Sequence, residues 1–418
     1  SIRSAAAYSA AAVGIVTTSV QSSASVAANN GAAQMTFLGL ADHGSSILAT
    51  ATTAVAAVVG MGLYSGDSST AVVIADGANV TISGRATEYG TIRATSRGDV
   101  GAAVGIVLNT NGLTMITVSP NATLTMLGWA SQNGAITSAA RNAAAAVGMA
   151  MAAHGSSSAV TISPEASVTI MGQASHDGTI QATATHNGAS VVGFAVFGRA
   201  TTASVTISDG ATLTMVGRAS ENGAIRSRTA RIVAASIGVA VQGASTAKAA
   251  IELSPAANVT LVGWASQNGT VSAIATISTA ATVGIALHTD SATSSLKALN
   301  RSTLCIIGWS DSSGSIDATT GDAAAAVGMA FFTRTAHASI AISYAANVTV
   351  FGRAAENGTI RAAATDNAAS AAVGVALTAV VSSQVTLSAG ASMAIHASAH
   401  NGSIIRSSAS NAAAAVGI

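Results

Sequence analysis

The sequence predicts an all-β fold, a parallel β-solenoid of about nine repeats of about 45 residues, each with three to four short strands. Three observations predict it. A glycine preceded by Val or Ile and followed by Ile, Met, Phe or Val recurs from Gly14 through Gly105, Gly193 and Gly284 to Gly417, at spacings of 43 to 46 residues. A second glycine opens the stretch Gly217-Arg218-Ala219-Ser220-Glu221-Asn222-Gly223 and returns at Gly39, Gly84, Gly128, Gly172, Gly263, Gly308 and Gly352. Between these markers, short runs alternate apolar and polar residues, as strands with one covered face do.

Taking residues 159–202 as one unit, Val160-Thr161-Ile162-Ser163 is a first strand, ended by Pro164-Glu165-Ala166. Ser167 to Ala174 resumes the alternation as a second strand, with Val168, Ile170, Gly172 and Ala174 inward. His176-Asp177-Gly178 turns the chain into a third strand, Thr179 to Thr183, and the fourth runs through Val192-Gly193-Phe194-Ala195-Val196. Alanine runs such as 143–146 favour helix in that fourth segment. Its bulky residues alternate with small ones, however, and a central glycine in every copy costs a helix about 1 kcal/mol each, so strand is expected. Its small face (Ala146, Gly148, Ala150) is flat enough to lie against another wall of the coil or another protomer.

Repeats of this size cannot bury an apolar face alone, and stacking turns each position into a ladder along the axis. The third strand then carries Ile92, Ile136, Ile180, Ile225, Val271, Ile316, Ile360 and Ile404 inward. The turn before it carries Asn133, Asn222, Asn268, Asn357 and Asn401 beside glycine, a pair suited to the positive φ of a tight turn. The whole chain, 1–418, reads as one array, with a partial repeat over 1–33 and full repeats from 34 to 418. One large coil or two smaller coils per 45 residues both fit, giving a rod of about 45 or 90 Å at one layer per ~4.8 Å.

Composition agrees and excludes several functions. Charged residues are 8% of the chain, against roughly 25% in ordinary soluble domains. A formal net charge of +1 leaves no basic footprint for nucleic acid and little repulsion between copies. The longest apolar runs, such as 368–381, fall short of the roughly 20 residues of a membrane-spanning helix, and the three Trp and four Tyr are too few for the aromatic girdles of a membrane barrel. No membrane-embedded part is expected.

The outward positions of the second strand carry the functional information. A Thr ladder (Thr81, Thr125, Thr169, Thr214, Thr260, Thr349), interrupted by Cys305, suits water. Beside it runs an apolar row, Leu127, Met171, Val216, Val262, Ile307 and Phe351, and then a row of Arg85, Trp129, Gln173, Arg218, Trp264, Trp309 and Arg353 that holds all three tryptophans. Such rows mark either a contact surface or the inside of a second lobe. Arg beside Trp along the axis invites cation–π contacts. The sets Arg85/Glu88/Arg93, Arg218/Glu221/Arg226 and Arg353/Glu356/Arg361 recur every third repeat, and repetition of that kind is architectural. Catalysis needs a one-off cluster, so no enzyme, cofactor or metal site is expected; His176 and His400 share a turn position but lie far apart. Asn-x-Ser/Thr acceptors for N-glycosylation stand at Asn79, Asn121, Asn258, Asn268, Asn300, Asn347, Asn357 and Asn401.

In repeat style the chain resembles extracellular β-helical repeat proteins: adhesins, filamentous haemagglutinin-like surface proteins and large protist surface proteins. The resemblance implies a place outside the cell and an adhesive or fibre-forming role. Both ends stop inside a repeat, in phase, and open strand edges pair with whatever matches them, another copy or the continuation of a longer chain. The expectation is therefore a structural subunit of an extracellular filament or surface fibre, a homopolymer built head to tail and through lateral apolar contacts. The alternative is a monomeric adhesin or stalk that offers the Trp/Arg row to glycans.

Overall fold

Each repeat closes one coil of four strands, because two kinds of tight turn and one bent strand make its corners. In the coil from 158 to 198 the strands are Ser158–Ile162, Ser167–Ala174, Thr179–Ala184 and Gly188–Gly198. The corner after the first is a turn in which Ala166 N–H donates to Ser163 O (3.1 Å) and Glu165 sits at φ 58°. That is the type II pattern, with proline favoured where Pro164 stands. At the corner after the second strand two residues in succession take positive φ: His176 and Asp177 here, Gln132 and Asn133 one layer earlier. Gly134 N–H donates to Ser131 O (2.8 Å) to close a type I′ turn. The positive φ is thus carried by Asn133. The glycine answers a different need, since a Cβ on Gly134 would lie 2.1 Å from Ala86 O of the layer below.

The computed structural model describes residues 2–6, 9–19, 24–28, 33–51, 55–65, 70–96, 100–110, 113–141, 143–153, 158–186, 188–198, 202–229, 233–243, 248–276, 279–289, 294–320, 322–333, 337–365, 369–379, 382–409 and 412–417. Among them every regular element is a strand, and no helix is long and apolar enough to cross a membrane. Equivalent strands pair in parallel and in register from coil to coil, for example Ser167↔Thr212 through Ala174↔Ala219. Four sheets result, of nine, nine, ten and ten strands for the first to fourth strand positions. One layer per repeat settles the coil number at one, and the rod is about 45 Å long.

The fourth sheet lies inside the coil. In Ala143–Ala153 every residue through Ala152 is buried, on both faces. The first half lies on the third sheet, bonded to it by Thr282 Oγ1 donating to Asp317 O (2.5 Å), Ser236 Oγ to Ser272 O, and Ser370 with Ser407. The strand then bends at the central glycine, which takes φ between 134° and 152° in every described layer from Gly14 to Gly374. Beyond the bend, Met149 and Met151 join the main core with Met126, Ile170 and Val160. The opposite faces of the two halves close on each other, so Ala143 and Ala145 share a small second core with Ala150 and Ala152. The flat face expected from Ala146, Gly148 and Ala150 is therefore divided. Ala146 faces the main core beside Val147, and Ala150 lies in the fold of the bend. No second protomer is needed to cover it.

The inward ladder of the third sheet holds as expected from Ile92 to Ile360, with each residue fully buried. Its last member is Ile405, not Ile404. Register pairs Ile360 with Ile405, and Ile404 is 52% exposed in the outward row. The final turn is displaced by one residue for the same reason. Asn401 takes the place of Glu356, and Gly402 (φ 75°) takes that of Asn357, so Asn401 leaves the asparagine ladder. His400 accordingly does not share the position of His176; His43 does.

On the outside of the third sheet, Asp317 is the one acid in a row that holds Arg93, Arg226 and Arg361. Burial raises its carboxyl above the usual range, against a Ser315 hydrogen bond and the Arg361 charge, which pull it down. A raised acid favours the folded state below the unfolded pKa, and that advantage disappears as pH rises through the folded value. Asp317→Asn is therefore expected to be at least as stable as the parent at pH 7 and to lose the parent's relative gain between pH 7 and pH 4. Thermal melts of both chains at the two pH values check this.

Candidate functional surface

The second sheet presents the expected rows at the surface of the rod. In each strand the residues at the positions of Val168, Ile170, Gly172 and Ala174 are buried from the second coil through the eighth, and the alternate set faces out. Leu127, Val216, Val262, Ile307 and Phe351 are half-buried among their neighbours, and Met171 is exposed. Among the described residues no other lobe covers them. Beyond this row, register places Arg85, Trp129, Gln173, Arg218, Trp264, Trp309 and Arg353 in one column.

In-register parallel stacking sets neighbouring side chains of a column one strand apart, ~4.8 Å, which suits planar groups lying face to face. Trp264 and Trp309 stack with centroids 5.3 Å apart and planes 11° from parallel. Arg218 lies 5.1 Å from the Trp264 ring on one side and Arg353 4.9 Å from the Trp309 ring on the other. Four successive layers thus form one Arg–Trp–Trp–Arg pile, and Arg85 caps Trp129 at 5.7 Å in the same manner. Each such contact contributes about 0.5–1 kcal/mol at an exposed site. The pile has a consequence for recognition. A sugar ring stacks on an indole face, and both faces of Trp264 and Trp309 are taken. The Trp264 Nε1–H, the group a hydroxyl would meet, is buried and without a partner.

The corner between second and third sheets carries the threefold pattern. Its outermost position reads His43, Glu88, Gln132, His176, Glu221, Gln267, Ser312, Glu356 through successive layers. Each glutamate is held by the residue one layer before it: Glu88 by His43 Nε2 (2.8 Å), Glu221 by His176 Nε2 (2.5 Å), Glu356 by the Ser312 hydroxyl (2.8 Å). The sequence showed Arg and Glu recurring together; in the structure each works along the axis, Arg over an indole and Glu toward the previous corner. Asp42, His43 and Glu88 form a cluster whose ligand atoms lie within 4.8 Å of one another. The imidazole uses one nitrogen for each carboxylate, Nδ1 to Asp42 at 3.1 Å and Nε2 to Glu88, which makes it a clamp between layers. The Thr87 hydroxyl donates to Asp42 Oδ1 (2.7 Å), and with His43 holds that carboxyl below its usual range. The side chains of Asp42, His43 and Glu88 are at the surface of the rod, and Thr87 is buried.

All eight acceptor asparagines are exposed. Asn79, Asn258 and Asn347 open second-sheet strands, Asn121 and Asn300 lie in the turn before that sheet, and Asn268, Asn357 and Asn401 lie in the turn after it. Every acceptor therefore flanks the second sheet. That placement was legible only once the corners were known.

No protein-family model, curated protein or solved structure matches the chain.

Proposed function

We propose that this chain is a structural subunit of an extracellular filament or surface fibre, growing by end-to-end stacking of its coils and held sideways by apolar contacts. One observation carries the reading. The side chains with chemical potential recur at equivalent places every third layer, and each has its partner in the same column one layer away: Arg218 and Arg353 on the indoles, His43 and His176 on the glutamates. Groups spent on axial cohesion are features of a rod that bears load or extends, and a catalytic centre needs a set that occurs once. Every sheet hydrogen-bonds along the same axis, so one further layer of the same columns extends all four ladders together.

The extracellular setting rests on the resemblance in repeat style and on the exposure of the acceptor asparagines. Glycans there would solubilise a surface with little charge. The competing reading, a monomeric stalk that binds glycans on its Trp/Arg row, has to work with indole faces that are already occupied.

Electron microscopy of the purified chain at near-neutral pH tests the proposal. Long fibres with an axial repeat of about 45 Å, the length of one subunit, are expected. Isolated rods of that length, with glycan binding that disappears in Trp264→Ala, would replace the filament by the stalk.

A further inference from the structure

The outward face of the second sheet differs from the other faces of the rod. The third sheet turns Arg93, Arg226, Arg228 and Arg361 to the outside, the first sheet carries Glu252 beside Lys297, and the fourth sheet is enclosed. The second sheet has no Asp, Glu or Lys in any strand, and its middle outward column is apolar from Leu127 through Phe351. Nine strands at ~4.8 Å make it about 40 Å long, and its Thr, apolar and Trp/Arg columns, each about 7 Å across, make it about 20 Å wide. The remaining outward column, which holds Asn79, Asn258 and Asn347, lies beyond that width. The resulting area, about 800 Å², is what one partner contributes to an ordinary specific interface.

We infer that this face pairs with the same face of a second copy, the two rods lying parallel and pointing the same way. The inference rests on the self-associating reading above and names its lateral contact. Relief and charge choose the direction. The tall Trp/Arg column lies on one side of the apolar column, and the short Thr column on the other. A twofold axis along the rods sets apolar column on apolar column and drops each Trp/Arg column over the partner's Thr column. Sheets packed in this way stand about 10 Å apart. The arginines of the two copies then sit on opposite margins, about 13 Å apart laterally. Rods pointing opposite ways would instead put the Trp/Arg columns face to face, tall against tall and Arg toward Arg.

Single cysteines in the apolar column test both pairing and direction, in a Cys305→Ser background that removes the native thiol. Leu127→Cys, Val216→Cys and Ile307→Cys lie two layers apart in succession. Treated with a short bis-maleimide, all three are expected to give covalent dimers in comparable yield. Val216→Arg is expected to abolish dimers in sedimentation while leaving the β-sheet circular dichroism unchanged. Crosslinking at only one of the three positions overturns the parallel arrangement, and crosslinking at none overturns the pairing. The two levels separate cleanly. Fibres without crosslinks keep the filament and lose this contact; crosslinked pairs of 45 Å rods that never elongate keep the contact and lose the filament.

Discussion

Gly193→Ala is expected to cost more than about 4 kcal/mol and to break the rod's unfolding into separate transitions. Two penalties add at this position. The backbone sits at φ 143°, in a region that costs other residues about 1–3 kcal/mol. The new methyl would also stand 1.9 Å from Gly238 O in the next layer. The obstructing atom is backbone, inside a sheet whose strands repeat the same bend in step, so neither layer can yield alone. Because each coil touches only its neighbours, a defect there uncouples the layers on its two sides. Urea unfolding followed by circular dichroism should show two transitions where the parent shows one. Gly62→Ala is the control: its φ is ordinary, the nearest atom is a Val55 methyl at 3.2 Å, and a loss of no more than about 1 kcal/mol is expected.

The other glycine column should behave differently, and the difference is diagnostic. A Cβ on Gly172 would meet Val192 Cγ2 at 2.4 Å, and the equivalent glycines from Gly39 to Gly352 each face the Val or Ile of their own coil. The second strand lacks a side chain here so that the bent fourth strand can press a methyl into the space. Gly172→Ala overpacks the site and should cost about 1–3 kcal/mol. Val192→Ala empties it and should cost about 2 kcal/mol. In the double variant the added methyl occupies what the removed ones vacated. Its loss should fall short of the sum by more than about 1 kcal/mol, a coupling that a denaturant double-mutant cycle resolves. Strictly additive losses would mean that Gly172 and Val192 do not share this space.

Both glycine columns were visible in the sequence as markers of the repeat, but their reasons were not. The fourth-strand glycine was legible as an argument for strand over helix. That it bends the strand, and so folds Ala143 and Ala145 onto Ala150 and Ala152, depends on a backbone angle that no pattern of residue types reports. The same bend answers how many coils a repeat contains. Forty-five residues make one coil because the 11-residue fourth strand runs through the interior.

At the surface the division is similar. The Trp/Arg and apolar columns could be listed residue by residue from the sequence, since in-register stacking makes every repeat position a ladder. Whether a column faced solvent or a second lobe could not be, because that depends on which sheets pack together. Likewise, recurrence put Trp264 and Trp309 next to each other in order, but only the layer spacing shows that their faces are closed by each other and by Arg218 and Arg353. The last turn failed for a local reason: with Asn401-Gly402 placed one residue early, motif matching put Ile404 inward, while the hydrogen-bonded register put Ile405 there. The sequence by itself therefore determined strands, period and the membership of nearly every column, which are properties of alternation and repetition along the chain. The bend, the covered faces and the axial partners were decided by the tertiary structure, because each depends on the distance between residues about 45 positions apart or on the packing of one sheet upon another.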